Sequence, residues 1–551
     1  MWRFSSFRSL AACAAGLVLL FGFARGVQAL GQASPEVSQE TADAGRGRIL
    51  LVQPFDNRTG QPSLDWVREA AAEVLSSRFT SAGFAPLSRE DRVYALDHLG
   101  LPEGFQPSRA SSLKLAQTLD ADSIVVGSYV TDGTSLAAVA RVVDVAHLRM
   151  SEEVSARGEM RDLVGVFDSL AWKVTRILNP EFSGSEETFV AAGRGVRLDA
   201  FEQYIRGITE PDHGERLRHL NNAVALNPGF GPAWMALGRE DYAGQQYEEA
   251  AAAFAKVGRN DPDALEAGFY RGLSLLFSGS YPQAEAAFKG VAMVLPLAEV
   301  LNNEGVAVSR EGRDGSAEFV AAETADPNQA DYHFNLAVSL NRRGETSAAI
   351  AELGQCLKLR PNDSEALELQ KEWRGPAATV RTVADGGTDA ASNPDPLERI
   401  VRTFDAVAFR QAAGMMDQME AARLGELSPH DRAVKQAAQA KDYLDRGLLL
   451  EAERLYQTAV ATDGSVAEAH AGLAEVRERS GDSASARSEA KAALELRPLA
   501  EAYLVLGRLD LAADHLDDAS KEAVEALKLN PGSRGAQDLR QKIELKTSGK
   551  L

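Results

Sequence analysis

From about residue 197 the chain repeats itself, and that periodicity constrains its fold more than any other feature. Pro262, Pro296, Pro327 and Pro361 follow one another at intervals of 34, 31 and 34 residues. Between them small and aromatic residues recur at fixed offsets. A unit of this length holds two short helices and a turn, and cannot bury its apolar face alone. Stacked copies can, so the expected architecture is a curved solenoid of helix pairs with an inner groove.

The clearest unit, 231–264, carries Trp234, Leu237-Gly238, Tyr247, Ala250, Phe254 and Pro262. The next places Gly272, Tyr281, Ala284, Phe288 and Pro296 at the same offsets. Glycine and alanine let paired helices approach, Trp and Phe fill the gap between them, and proline stops the second helix. This grammar resembles the tetratricopeptide repeat. Weaker copies flank it at 197–230, 299–329 and 330–363, giving a first array over 197–374. Residues 375–396 (GPAATVRTVADGGTDAASNPDP) have no helical stripe and are expected to link two arrays. A second array is expected over 397–546. It opens with a degenerate helix pair from Leu397 to Pro429 and closes with a capping helix at 534–546. The reading totals about nine units, five before the linker and four after.

The amino terminus follows other rules. Arg3 and Arg8 precede an apolar run from Leu10 to Ala24, and Val27-Gln28-Ala29 offers small residues at a cleavage position. The run is about 15 residues, short of the ~20 that span a bilayer. Residues 1–29 are expected to be a cleaved signal peptide, with an uncleaved anchor as the alternative. Lipidation at Cys13 is not expected, because the apolar run continues past it. Residues 30–47 form an expected flexible leader. Loss of 1–29, which carries three arginines and no acid, takes the formal charge from −20 to −23. Such a charge repels nucleic acid and anionic lipid. No membrane span is expected after cleavage. Cys356, the other cysteine, lies on a helical apolar stripe and is expected to be a buried thiol.

Residues 48–180 mix strands and helices. Ile49-Leu50-Leu51-Val52 has the continuous apolar character of a buried strand, and a helix follows from Leu64, capped by Ser63. Helices near 89–98 and 109–120, strands over 124–130, 137–145 and 150–159, and a last helix over 163–178 complete an α+β domain. Val52-Gln53-Pro54-Phe55-Asp56-Asn57, Leu64-Asp65-Trp66 and Ala121-Asp122-Ser123-Ile124-Val125-Val126-Gly127-Ser128 resemble the bacterial envelope domain related to TolB's amino-terminal domain, FlgO and CsgG. That resemblance implies a non-catalytic adaptor of secreted or membrane-associated assemblies. The turn Asp56-Asn57-Arg58-Thr59 lacks the glycines of a phosphate cradle and reads as a corner in which Asp and Asn bond their own backbone.

In the tetratricopeptide family the first helix of each unit lines the groove. Alignment on Gly305 and Ala337 places Asn303 with Asn335 and Arg310 with Arg342. Asparagine offers a donor and an acceptor to an extended backbone, whatever its side chains. The arginines suit an acidic side chain or a carboxylate. Phe269 and Tyr270 occupy the equivalent face as an aromatic anchor, or equally as inter-repeat core. A dedicated carboxylate clamp is not expected, since unit 231–264 offers Met235 and Arg239 where a lysine is needed. The eight histidines show no metal-ligand spacing, and nucleophile-elbow, P-loop and dinucleotide motifs are absent. No catalytic, cofactor-binding or metal residues are assigned. The expected function is an exported, non-catalytic scaffold that binds protein or peptide partners in the cell envelope. The alternative is a sensor whose α+β domain binds a small ligand near Asp56, Asn57 and Arg58 and relays its state to the repeats.

Overall fold

The structure is a computed structural model describing residues 49–102, 104–105, 107–193, 195–375, 396–405, 409 and 419–548. The expected signal peptide, leader, Cys13 and nearly all of the linker lie outside these residues.

Six strands form one sheet: β1 (Ile49–Val52), β2 (Asp56–Asn57), β3 (Ala85–Pro86), β4 (Ser123–Thr131), β5 (Ser135–Asp144) and β6 (Val154–Glu159). The order is β3-β1-β4-β5-β6, with β2 pairing on β4. The pairs β1–β3, β1–β4 and β2–β4 are parallel, while β4–β5 and β5–β6 are antiparallel. The apolar run 49–52 has no polar face because helices cover both sides of the sheet. On one side Leu50, Val52, Val125 and Ala138 pack under α1 (Trp66–Ser81) and α4 (Leu163–Leu178). On the other Leu51, Ile124 and Val143 pack under α2 (Arg89–His98) and α3 (Arg109–Thr118). Gly127 is required here, because a Cβ would lie 2.2 Å from the Phe55 ring. Two local expectations shift. Ser63 lies in a short 3-10 turn ahead of α1, leaving Asp65 at the helix start. The strand expected from Met150 begins at Val154.

After α5 (Glu186–Ala192) the helix pairs begin. They are α6 (Leu198–Thr209) with α7 (His213–Leu226), α8 (Gly231–Ala243) with α9 (Tyr247–Phe254), α10 (Ala264–Phe277) with α11 (Tyr281–Ala292), α12 (Ala298–Arg310) with α13 (Ser316–Ala325), and α14 (Ala330–Arg342) with α15 (Thr346–Leu359). The single helix α16 (Ser364–Arg374) follows them. The second array comprises α17 (Pro429–Asp445) with α18 (Leu449–Thr462), α19 (Ala467–Ser480) with α20 (Ser483–Leu496), α21 (Ala500–Ala512) with α22 (Leu516–Leu529), and the closing helix α23 (Arg534–Thr547). An α+β domain followed by an all-α solenoid is the architecture. Seven of the eight turns inside pairs carry one left-handed residue, supplied by Gly279, Gly312, Gly344, Gly447 and Gly481, and by Gln245 and Asp514 in two others. Cys356 is fully buried among Ala349, Leu353 and Trp373, and burial pushes its thiol up to about 11.

The solenoid does not begin as a separate body. Phe201, Tyr204, Leu220 and Phe230 join the core of α1 and α4, and the Tyr204 hydroxyl donates to Glu73 at 2.9 Å. The second array then returns to the start of the first. Glu453 on α18 accepts from the Ser185 backbone at 3.2 Å, Thr188 meets Ser480 at 3.1 Å, and Arg446 exchanges two hydrogen bonds with Asn260.

One expectation is corrected in part. Residues 397–405, expected to start a degenerate helix pair, are extended and lie against the inner face of the first array. Among the described residues, 409 and 419–425, later in that expected pair, are helical, and from Pro429 onward the second array has three regular pairs and a closing helix.

Candidate functional site

The inner face of the first array is lined by α10, α12, α14 and the start of α16. Pro396 to Asp405 (PLERIVRTFD) crosses these helices from α14 towards α10, against the order of the repeats. Two side-chain amides fix it. Asn335 donates to the Arg399 carbonyl at 2.8 Å and accepts the Arg399 N–H at 2.7 Å. Asn303 does the same for Val401, at 2.7 and 3.0 Å. Backbone groups two residues apart face the same way only in an extended chain, so the pair selects that conformation. Asn302 braces the arrangement, donating to the Arg399 carbonyl at 3.1 Å and accepting from Asn335 at 2.7 Å. All three asparagines are fully buried.

Charged contacts read the side chains. Glu398, with 1% of its side chain exposed, sits between Arg310, at 3.4 Å, and Arg342. Arg342 also donates to the Pro396 carbonyl at 2.9 Å. Arg399 lies over the Phe334 ring, 3.6 Å from its centroid, and bonds Asp331, Asp363 and Glu365 at 2.6 to 3.0 Å. Burial opposes the Arg399 charge, but the bonds to Asp363, Glu365 and Asp331 outweigh it and raise its pKa. In return the Arg399 hydrogen bond holds the Asp363 carboxyl below its ordinary value. Further along, Phe404 meets Phe269 at 5.5 Å between centroids, Arg402 covers Phe277, and the Asp405 N–H donates to Glu299 at 3.1 Å. Burial pushes the Tyr270 phenol up, while a hydrogen bond with the Phe404 backbone acts the other way.

The structure thus brings Phe269, Tyr270, Asn303, Arg310, Asn335 and Arg342 into one groove against one segment. Sequence reasoning missed Asn302, Asp331, Phe334, Asp363 and Glu299, and missed the segment itself. One signal was available. Aligning the units places Glu266, Glu299, Asp331 and Glu365 at one position near the start of successive groove helices.

Two other places bring polar side chains together. Asp56 to Thr59 is a corner leaving the sheet: Asp56 and Asn57 pair with β4, and Asn57 donates to Asp65 at 2.6 Å and accepts from the Thr59 N–H at 3.0 Å. Glu323, His333 and Glu352 bring their ligand atoms within 4.8 Å of one another, from separate helices, which spacing along the chain did not reveal. His333 contacts Glu352 at 2.8 Å and the Pro327 carbonyl at 3.1 Å. His470 repeats this with Glu489 and the Gly464 carbonyl. The shared geometry marks a brace between paired helices.

The tetratricopeptide repeat family matches residues 235–293 and 437–501, and a second description of the same repeat matches 330–363. Both arrays therefore contain tetratricopeptide repeats, a class that generally mediates protein–protein interaction. The chain has no match among curated proteins. Similar solved structures include YrrB, described as a TPR protein with an unusual peptide-binding site. It is 18% identical, covering 37% of this chain and 99% of that one, with a TM-score of 0.28. MamA from Desulfovibrio magneticus RS-1 is 21% identical over 31% of this chain and 99% of that one, with a TM-score of 0.28. The LpoB carboxy-terminal domain from Escherichia coli is 20% identical over 20% and 82%, with a TM-score of 0.19. No enzymatic family is indicated. Among the described residues no helix is long and apolar enough to cross a membrane.

Proposed function

We propose that this chain is an exported, non-catalytic scaffold whose first array binds extended segments of protein partners in cell-envelope assembly or secretion. One observation carries the reading: the amides of Asn303 and Asn335 each satisfy both backbone groups of one residue of an extended chain. That is recognition of a strand by its backbone, and it needs no reaction. The envelope setting is supported by the signal-like residues 1–29 and by the resemblance of 48–180 to the TolB, FlgO and CsgG domain. The sensor alternative wants a deep polar pocket at Asp56, Asn57 and Arg58, and the exposed corner there does not favour it.

The test is photo-crosslinking in intact cells from p-benzoylphenylalanine placed at Phe277, beside Arg402 in the groove. Crosslinks to another polypeptide are expected. Crosslinks confined to the chain's own 396–405 segment would remove the groove as the partner site.

A further inference from the structure

We infer that residues 396–405 are a self-ligand occupying the partner site, and that the partner segment displacing them carries the same pattern. That pattern is acid–arginine–apolar–x–x–x–aromatic, at the spacing of Glu398, Arg399, Ile400 and Phe404. The inference rests on the peptide-binding reading above and names its ligand class and its competitor.

The segment is held as a ligand is held. It forms no helix and pairs with no strand. Its polar hold comes from side chains of the groove helices acting on its backbone and charged groups. The array closes its own core without it: Phe269, Leu273, Phe288, Leu297, Val300 and Phe319 pack together, with Ile400 and Phe404 added at the edge.

The groove is also selective. A carboxylate at the Glu398 position enters a site made by two arginines, and a cation there would be repelled by both. One residue on, the sign reverses. Asp331 and Asp363, with which Arg360 also pairs, together with Glu365 and the Phe334 face favour a planar cation, so exchanging the order of acid and base misplaces both charges. Five residues after the arginine, Phe269 offers an aromatic wall. The second array lacks this code. Superposing its first helices on Ala330–Arg342 puts Gly472 and Val505 where Asn335 stands, which confines recognition to the first array.

A tethered ligand competes at an effective concentration of order mM. A free peptide should therefore bind the native chain weakly, and a chain with a spoiled self-ligand well. The experiment measures anisotropy of a fluorescein-labelled peptide PLERIVRTFD with the full chain. It compares native protein, Arg399→Glu and, as a second way of loosening the segment, Phe404→Ala. A peptide with Glu and Arg exchanged is the control, and hydrogen exchange of 396–405 reports whether the segment has left.

At least tenfold tighter binding by either variant than by native protein is expected. So are at least tenfold preference over the exchanged peptide and loss of binding when Asn303→Ala/Asn335→Ala is added. A segment that leaves while the peptide fails to bind, or binds no better than the exchanged peptide, overturns the inference. So does a segment that stays protected in both variants, or loss of cooperative unfolding in both, because either makes 396–405 a fixed part of the fold. In all these cases crosslinks from Phe277 to another polypeptide would leave the scaffold reading standing. Their absence would remove both.

Discussion

At the scale of residues, the groove works because one primary amide matches both hydrogen-bonding groups of one residue. Changing Asn335 to Asp keeps the acceptor for the Arg399 N–H but turns the donor into an oxygen. That oxygen then faces the Arg399 carbonyl and the Asn302 side-chain oxygen, now at 2.8 and 2.7 Å from the Asn335 nitrogen. An unsatisfied buried group costs about 1–3 kcal/mol. Asn335→Asp should therefore speed amide exchange across 396–405 by roughly ten- to a hundredfold. Exchange rates equal to those of the native chain would show that the amide does not hold the segment. Asn303, Asn335, Arg310 and Arg342 were legible in the sequence because alignment on Gly305 and Ala337 puts each pair at one offset of a groove-lining helix. Asp363 and Glu365 were not, since acids at a helix start read as ordinary dipole partners until a cation is placed against them.

At the scale of elements, the helix pairs were legible for a simple reason. Each buries a stripe with the 3.6-residue period, and alanine, glycine and aromatic positions recur with it. The segment 396–405 has no such signature. Its backbone is satisfied by side chains distant in sequence, so no local pattern announces it. The polar braces within pairs were equally hidden. His333 and His470 each join the two helices of their unit through Glu352 and Glu489. Burial lowers the His333 pKa, but hydrogen bonds to Glu352 and Pro327 and the nearby Glu323 leave it raised; the Glu489 hydrogen bond likewise raises His470. A raised folded-state pKa contributes stability fully present below the ordinary value of 6.5 and lost as pH rises through the folded value. The native Tm should therefore fall between pH 6 and pH 8 by more than that of His333→Gln/His470→Gln. Parallel Tm profiles for the two proteins would show that the braces do not titrate with folding.

At the scale of the whole molecule, the second array is moored where the first begins, which no repeat periodicity could foretell. The mooring turns on Glu453, whose side chain is 1% exposed. It accepts the Ser185 N–H from α5 and pairs with Arg477 at 2.8 Å. Burial raises its pKa, while Arg477 and the bonds from Thr188 and Ser185 pull the other way. An isolated carboxylate could not remain buried there, so the contact depends on all of these partners together. Leu450 adds an apolar contact with the core beneath, and the Asn260–Arg446 exchange adds a second polar tie on the first array. Changing Glu453 to Lys removes the acceptor, leaves the Ser185 N–H unsatisfied and sets a second cation beside Arg477. Breaking a buried pair costs about 3 kcal/mol, set against Leu450, the Asn260–Arg446 and Ser183–Gln457 exchanges and the Thr188–Ser480 contact that remain. The second array should then leave α5 while its own helix pairs, whose cores lie elsewhere, stay folded. Small-angle scattering should show a larger radius of gyration for Glu453→Lys, with helical circular dichroism unchanged. An unchanged radius with intact helicity would show that Leu450 and the remaining polar ties suffice. The mooring would then be distributed over the interface and not centred on Glu453.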